Sequence, residues 1–297
     1  MTWKLTLPCT KAEAEQLGSD ISPLALMDEP PTLMTSEETE ESWRLDAYFE
    51  AKPGKSEIAA LQALVPSATG AKPLIEELAD EDWVTLSQQG LEPIQAGRFY
   101  VHTPAHRGTT PPGSVALEID AGRAFGTGQH ETTTGCLIAL DRLKREGFIA
   151  RNLVDVGTGT GLLAFAGLRL WPNARATASD IDPIAVEVTD ENAAINSVRL
   201  GRAPGALDTV TAPGLDHPRL RARSPYDLII ANILAGPLIT LAPSLAGALA
   251  PGGRLILAGL LTTQAARVEA AYRREGLRMR FAIERGDWPT LVLRRPR

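Results

Sequence analysis

The chain has 297 residues, enough for one large domain or for a medium domain and a small one. Hydrophobic residues make up 44% and charged residues 22%, the balance of a globular protein with a buried core. Two cysteines, Cys9 and Cys136, exclude a disulfide framework, and the four histidines at 102, 106, 130 and 217 have no zinc spacing, so no metal is expected.

No apolar run is long enough to cross a bilayer, and the N-terminal Met-Thr-Trp-Lys-Leu-Thr-Leu-Pro has no signal-peptide core. A cytoplasmic protein without a membrane partner is the expectation. The net charge of −6 conceals an asymmetry. Residues 1–100 hold 7 Lys+Arg against 18 Asp+Glu, and residues 101–297 hold 23 against 18. So acidic a first part should repel nucleic acid and attract basic partners. An acidic surface that only aids solubility is the alternative.

In chain order, Trp3-Lys-Leu-Thr-Leu alternates as a half-buried strand does, with Pro8 expected to close it. Lys11–Leu17 reads as a short helix stopped by Gly18, and residues 24–28 and 32–35 as short strands around Pro30-Pro31. Trp43, Leu45, Ala47 and Phe49 alternate with polar neighbours in a strand over 43–50, and Lys55–Val65 has helical spacing. Strands and helices of this kind build two layers, ending near residue 78. Residues 79–96 then read as an interdomain linker around Trp83, and 97–297 as the second domain.

Phe99–Thr103 and Val115–Ile119 are expected strands. The stretch 121–134, with three glycines and several hydroxyl residues, reads as a loop leading into a helix over 134–146. From 152 onward the pattern is regular. Strands are expected over 152–156, 174–180, 207–211, 226–232, 253–259, 277–285 and 288–294. Helices are expected to Leu170 and over 183–196, 235–250 and 262–275. Alternating β and α elements demand a mostly parallel sheet covered on both faces, and the final pair, separated by Gly286-Asp287, closes it as an antiparallel hairpin.

The most informative stretch is Asn152-Leu-Val-Asp-Val-Gly-Thr-Gly-Thr-Gly-Leu162. An apolar strand runs into Gly157, Gly159 and Gly161, which bend it into a helix and let a ligand approach bare backbone. The next strand ends at Asp180, whose carboxylate can accept both hydroxyls of a ribose. With Asp155 two residues before the first glycine, this set looks like the S-adenosylmethionine (AdoMet) site of a class I methyltransferase. Ile181 is a candidate adenine contact, with core packing the alternative. Asp182 is expected to cap the helix begun at Pro183. Asn232 ends a later strand, where its carbonyl can accept from an amine and aim the nitrogen lone pair at a methyl carbon. Capping of the next helix is the alternative role. A lone loop histidine such as His130 is given no catalytic part.

Ala124-Phe-Gly-Thr-Gly-Gln-His-Glu-Thr-Thr133, Asp155-Val-Gly-Thr-Gly-Thr-Gly161, Ser179-Asp-Ile-Asp-Pro183 and Asn232-Ile-Leu-Ala235 occur in that order. Together with Asp80-Glu-Asp-Trp83 and Gly286-Asp-Trp288 they closely resemble the bacterial ribosomal protein L-11 methyltransferase family. The resemblance covers residues 80–297 well, and the first 78 only in size and expected build. It implies a class I, Rossmann-like α/β domain with a mostly parallel seven-stranded sheet, preceded by a small two-layer α+β domain. It implies AdoMet as methyl donor and N-methylation of the α-amine and lysine ε-amines of ribosomal protein L-11, with residues 1–78 recognising that substrate. Carried over by position, Thr133, Gly157, Asp180 and Asn232 bind the cofactor, and Phe125 with Gly126 to Gly128 belong to a loop over it. Ser87, Gln88 and Gln89 depart from the family's linker. No direct nucleic-acid contact and a monomer are expected. The rivals are a lysine methyltransferase of another basic protein and a nicotinamide-dependent oxidoreductase, against which Leu162 stands at the sixth fingerprint position.

Overall fold

Alternation shapes the first compact unit, residues 1–87. The structure, a computed structural model, describes residues 2–17, 31–39, 42–49, 51–78, 93–119 and 130–297. Within the first unit, β1 (Thr2–Cys9), β2 (Thr32–Thr39), β3 (Ser42–Phe49) and β4 (Leu74–Leu78) form an antiparallel sheet in the order β2–β3–β1–β4. Leu5, Leu7, Leu45 and Ala47 share one buried face with Leu61 and Val65 at helix Lys55–Leu64 and Ala14 of helix Lys11–Leu17. This is the expected two-layer α+β build. On the other face Asp46 is buried. It accepts from Thr6 Oγ1 at 2.6 Å and pairs with Lys4 Nζ at 3.3 Å and Arg44 Nε at 3.1 Å.

Pro8 does not close β1 as expected. β4 pairs only with Thr2–Thr6, so the edge at Pro8 is already free and its missing N–H breaks no ladder bond. The expected strand at 24–28 and most of the 79–96 linker lie outside the described residues.

The second unit spans residues 88–297. Its smaller sheet holds β5 (Ile94–Ala96), β6 (Phe99–His102) and β7 (Val115–Glu118), with β5–β6 antiparallel and β6–β7 parallel. Its larger sheet holds β8 (Asn152–Val156), β9 (Arg175–Asp180), β10 (Leu207–Thr211), β11 (Tyr226–Asn232), β12 (Leu249–Ala258), β13 (Arg278–Ile283) and β14 (Thr290–Arg294). The order is β10–β9–β8–β11–β12–β14–β13. The first five strands are parallel, and β14 runs antiparallel to both β12 and β13.

This is the expected mostly parallel sheet with its C-terminal hairpin. Leu153–Val156 and Leu228–Ala231 are buried without interruption, because helices cover both faces. Leu153, Leu228 and Ile230 pack with helices His130–Arg145 and Leu162–Leu170 on one face. Val154, Ile229 and Leu257 pack on the other with Leu245 and Val268 of helices Ala242–Ala248 and Thr262–Arg274.

Several elements differ from the sequence expectation. The helix after the glycine-rich stretch begins at His130, four residues early, because Thr132, Thr133 and Thr134 are buried rather than loop residues. Its Gly135 lies against β14, where an added Cβ would come 2.1 Å from Thr290 Oγ1. The helix expected over 235–250 is two, Ala235–Thr240 and Ala242–Ala248, broken beside Pro243, which has no N–H to continue the ladder. A short helix, Pro218–Arg223, was not expected.

Ile230 is fully buried on a central strand. Ile230→Ala should lower the stability of the larger unit by about 2–5 kcal/mol. Calorimetry of the full chain would register this as a lower transition temperature for that unit.

Candidate active site

The order reverses between β8 and β11, and in an open α/β sheet that is where a ligand crevice forms. Gly157 follows β8 with φ 72°, and Gly161, with φ 85°, precedes helix Leu162–Leu170. Both positions need glycine twice over. A Cβ on Gly157 would come 2.2 Å from Ile233 Cγ2, and one on Gly161 would come 2.5 Å from Phe165 Cζ. The turn is tied to β9 by Gly157 N and Thr158 N donating to Ser179 O at 2.8 and 3.0 Å.

Helix Pro183–Ile195 supports the turn from beyond β9. Thr189 Oγ1 donates to Gly159 O at 2.9 Å, and Asn192 Nδ2 donates to Thr160 O at 3.2 Å. Sequence reasoning missed these two residues. The available signal was a pair of polar side chains three apart on the buried side of a helix.

Asp155 lies under the turn. One carboxylate oxygen accepts from Thr158 Oγ1 at 2.8 Å and Ala164 N at 3.2 Å, while the other is buried without a partner. Burial pushes its pKa from 3.8 up to about 7, and the nearby Asp180 charge adds to the rise; the two hydrogen bonds oppose it. Cys136 is fully buried. Burial first, and then the Asp155 charge, push its thiol up out of the reactive range.

Asp180 ends β9. Its two oxygens accept from Gly159 N at 2.9 Å and Asp182 N at 3.1 Å. Each carboxylate oxygen can take a further hydrogen bond, so the group is aimed and still able to accept from a diol. Asp182 caps its helix as expected, accepting from Ile184 N at 2.9 Å. Ile181 is 71% exposed, which removes core packing as its role.

Gly157, Asp180 and Ile181 line a cleft of about 950 Å³ with Pro213, Ile233 and Leu234. That volume lies within the range of small-molecule and cofactor sites. Gln264 and Arg267 border the same cleft, from a helix that carried no site signal in the sequence. Asn232 is half-buried at the tip of β11, beside Ala258 of β12. It does not cap the next helix, whose cap position is Leu234. Thr133 is buried in the first turn of helix His130–Arg145. Neither Asn232 nor Thr133 is among the residues lining the cleft. Phe125 and Gly126 to Gly128 lie outside the described residues.

The sheet order, the glycine turn and the acidic strand end define a class I methyltransferase, whose donor is AdoMet. Comparison with known proteins makes this specific. The family model described as ribosomal protein L11 methyltransferase matches residues 11–296. A ribosomal protein L11 methyltransferase of Rhizobium etli is 42% identical over 296 residues, covering 99% of each chain. One from Brucella melitensis is 43% identical over 293 residues, covering 98% of this chain and 99% of that one. The crystal structure of a ribosomal protein L11 methylase from Lactobacillus delbrueckii subsp. bulgaricus superposes with a TM-score of 0.58 at 26% identity. It covers 70% of this chain and 99% of that one.

The chain belongs to the ribosomal protein L11 methyltransferase family. The match reaches well into the first 78 residues, further than the motifs alone indicated. It also sets aside the oxidoreductase reading.

Asp155 gives a pH test. The unfolded chain releases this proton near 3.8 and the folded chain near 7, so native stability falls as pH rises between those values. Asp155→Asn removes the ionisation. Its melting temperature relative to wild type should therefore climb from about pH 5 to about pH 8. A difference that stays flat over that range would contradict a buried, proton-retaining Asp155.

Proposed function

We propose that this protein transfers methyl groups from AdoMet to the α-amine and lysine ε-amines of ribosomal protein L11, acting as a cytoplasmic monomer. The observation that carries the choice of substrate is full-length similarity to proteins named ribosomal protein L11 methyltransferase; the choice of amines follows the family resemblance. The charge of the first hundred residues, 7 basic against 18 acidic, suits a basic ribosomal protein as partner. Residues 1–78 are assigned to substrate recognition, 79–96 to the connection, whose last residues Ile94–Ala96 pair as β5 within the second unit, and 97–297 to catalysis.

The residues at the cleft fit the donor. Gly157 leaves room for it where any side chain would collide with Ile233, and Asp180 has free acceptor capacity for its ribose. When bound, AdoMet supplies a carbon already activated by a sulfonium. The protein's part is then positioning in line. Asn232 receives the role of holding the acceptor: its carbonyl takes a hydrogen bond from the amine N–H and turns the lone pair toward the methyl group. The amine must be neutral to attack, and water takes its proton. Thr133 is assigned to the donor by its place in the family motif.

The direct experiment is incubation with labelled AdoMet and purified L11, followed by mass spectrometry of the product. Label on α-amine and lysine nitrogens is expected; label only on another ribosomal protein would refute the substrate. Two variants separate the roles. Asp180→Ala should weaken AdoMet binding by about 1–3 kcal/mol. Asn232→Ala should lower turnover more than it lowers AdoMet affinity. An affinity loss alone in the second variant would remove Asn232 from the acceptor side.

A further inference from the structure

Among the described residues, the two most exposed large hydrophobic side chains both line the cleft: Ile181 at 71% and Leu234 at 69%. Scattered exposed aliphatics are ordinary, whereas two gathered on one crevice mark a surface that meets a ligand. Ile181 stands beside Asp180 at the end of β9. Leu234 has no such assignment.

Leu234 also breaks a local rule. It occupies the cap position of helix Ala235–Thr240, with φ −57° and ψ 151°, and makes no side-chain bond there. Asn, Asp, Ser and Thr suit that position because their side chains accept from the free N–H groups of the first turn, and Leu ranks among the poorest choices. Burial does not account for the leucine either, since the side chain is exposed. Ile233, one residue earlier, fills the space beside Gly157 and has a packing role. A residue that serves neither the helix start nor the core, on the wall of a cleft, is where function is expected to override local preference.

Strand order fixes which end of the cleft Leu234 serves. The order at the tips is β10–β9–β8–β11. With the ribose at Asp180, the cleft continues past β9 to Pro213, two residues beyond β10. That side has room for adenine. In AdoMet the adenine and the sulfonium leave the ribose from opposite ends, so the sulfonium lies toward β8 and β11. Leu234, two residues beyond β11, stands on this methyl-donating side, about 9–10 Å across the tips from the end of β9. The cleft volume of about 950 Å³ is at the top of the range for a small-molecule site, so a second group can enter beside the donor.

We propose, resting on the donor and acceptor placements of the proposed function, that Leu234 is the wall for the side-chain stem of an acceptor lysine and sets a preference for lysine ε-amines over the α-amine. A lysine carries its nitrogen on a flexible four-carbon stem that is apolar along its length. With that nitrogen held at Asn232, the stem lies on the apolar surface that Leu234, Pro237 and Ile239 give to the cleft. An α-amine is attached directly to the main chain and has no stem to lay there. Each methylene removed from water favours binding about fourfold, so a wall that covers about two of them favours lysine about tenfold.

The test uses the full chain, AdoMet and purified L11, with mass spectrometry reading ε- and α-methylation in the same product. Folding and donor affinity act on both amines alike, so their ratio isolates the stem. Leu234→Asn keeps the branched shape, supplies a cap acceptor and removes the apolar wall. Its ratio of ε- to α-methylation should fall about tenfold, with AdoMet affinity held and the melting temperature no lower. Leu234→Met, apolar and of similar volume, should keep the ratio of the unaltered chain. An unchanged ratio in Leu234→Asn would overturn the proposal, as would an equal fall in both variants. Weakened AdoMet binding would move Leu234 to the donor, and a lowered melting temperature would make it structural; either result also overturns it. An unaltered chain that labels only one kind of amine, or neither, contradicts the proposed function and takes this inference with it, a result distinct from an unchanged ratio.

Discussion

The larger unit is organised around a place where two chain segments meet with no room for a side chain. Gly157 leaves β8 and Ile233 leaves β11 at the point where strand order reverses, and the missing Cβ lets them touch. If that contact were closed by a methyl group, the floor of the cleft would have to move. The same turn fixes the acidic side chain beside it, because Gly159 N holds one oxygen of Asp180. The tips of the central strands and part of the cleft lining thus meet at one bend.

Much of this was legible in the residues, for reasons that differ along the chain. Leu153–Val156 and Leu228–Ala231 are continuous apolar runs of strand length, and only strands covered on both faces look like that. Gly157 and Asp180 read as parts of one crevice because their spacing fits strand, turn and strand end, and both line the cleft. Boundaries were harder. Thr132–Thr134 read as loop because hydroxyl residues obscure periodicity, yet burial makes them helix. Pro243 cuts one expected helix into two, a break that an apolar pattern alone does not reveal.

The candidate site was legible as separate strand ends rather than as a cleft. Ile233, Gln264 and Arg267 are distant in sequence from the glycine turn, and only the folded sheet brings them to its rim. Thr133 shows the reverse limit. Its place in a motif was clear, but its burial inside a helix had no sequence signature. Charge behaved similarly. A tally over 101–297 hinted at a modest positive excess, while strand pairing gathers Arg254, Arg278 and Arg294 into one row.

Helix Leu162–Leu170 is encased on nearly every side, with Arg169 its one exposed residue, itself anchored to Asn196 O at 2.7 Å. A helix so enclosed can open only when the surrounding core opens, so its amides should belong to the slowest-exchanging class in the molecule. The bend that precedes it inherits that stiffness. A ligand arriving there meets backbone groups already frozen in place, and the entropy of ordering them was spent during folding rather than at the moment of association.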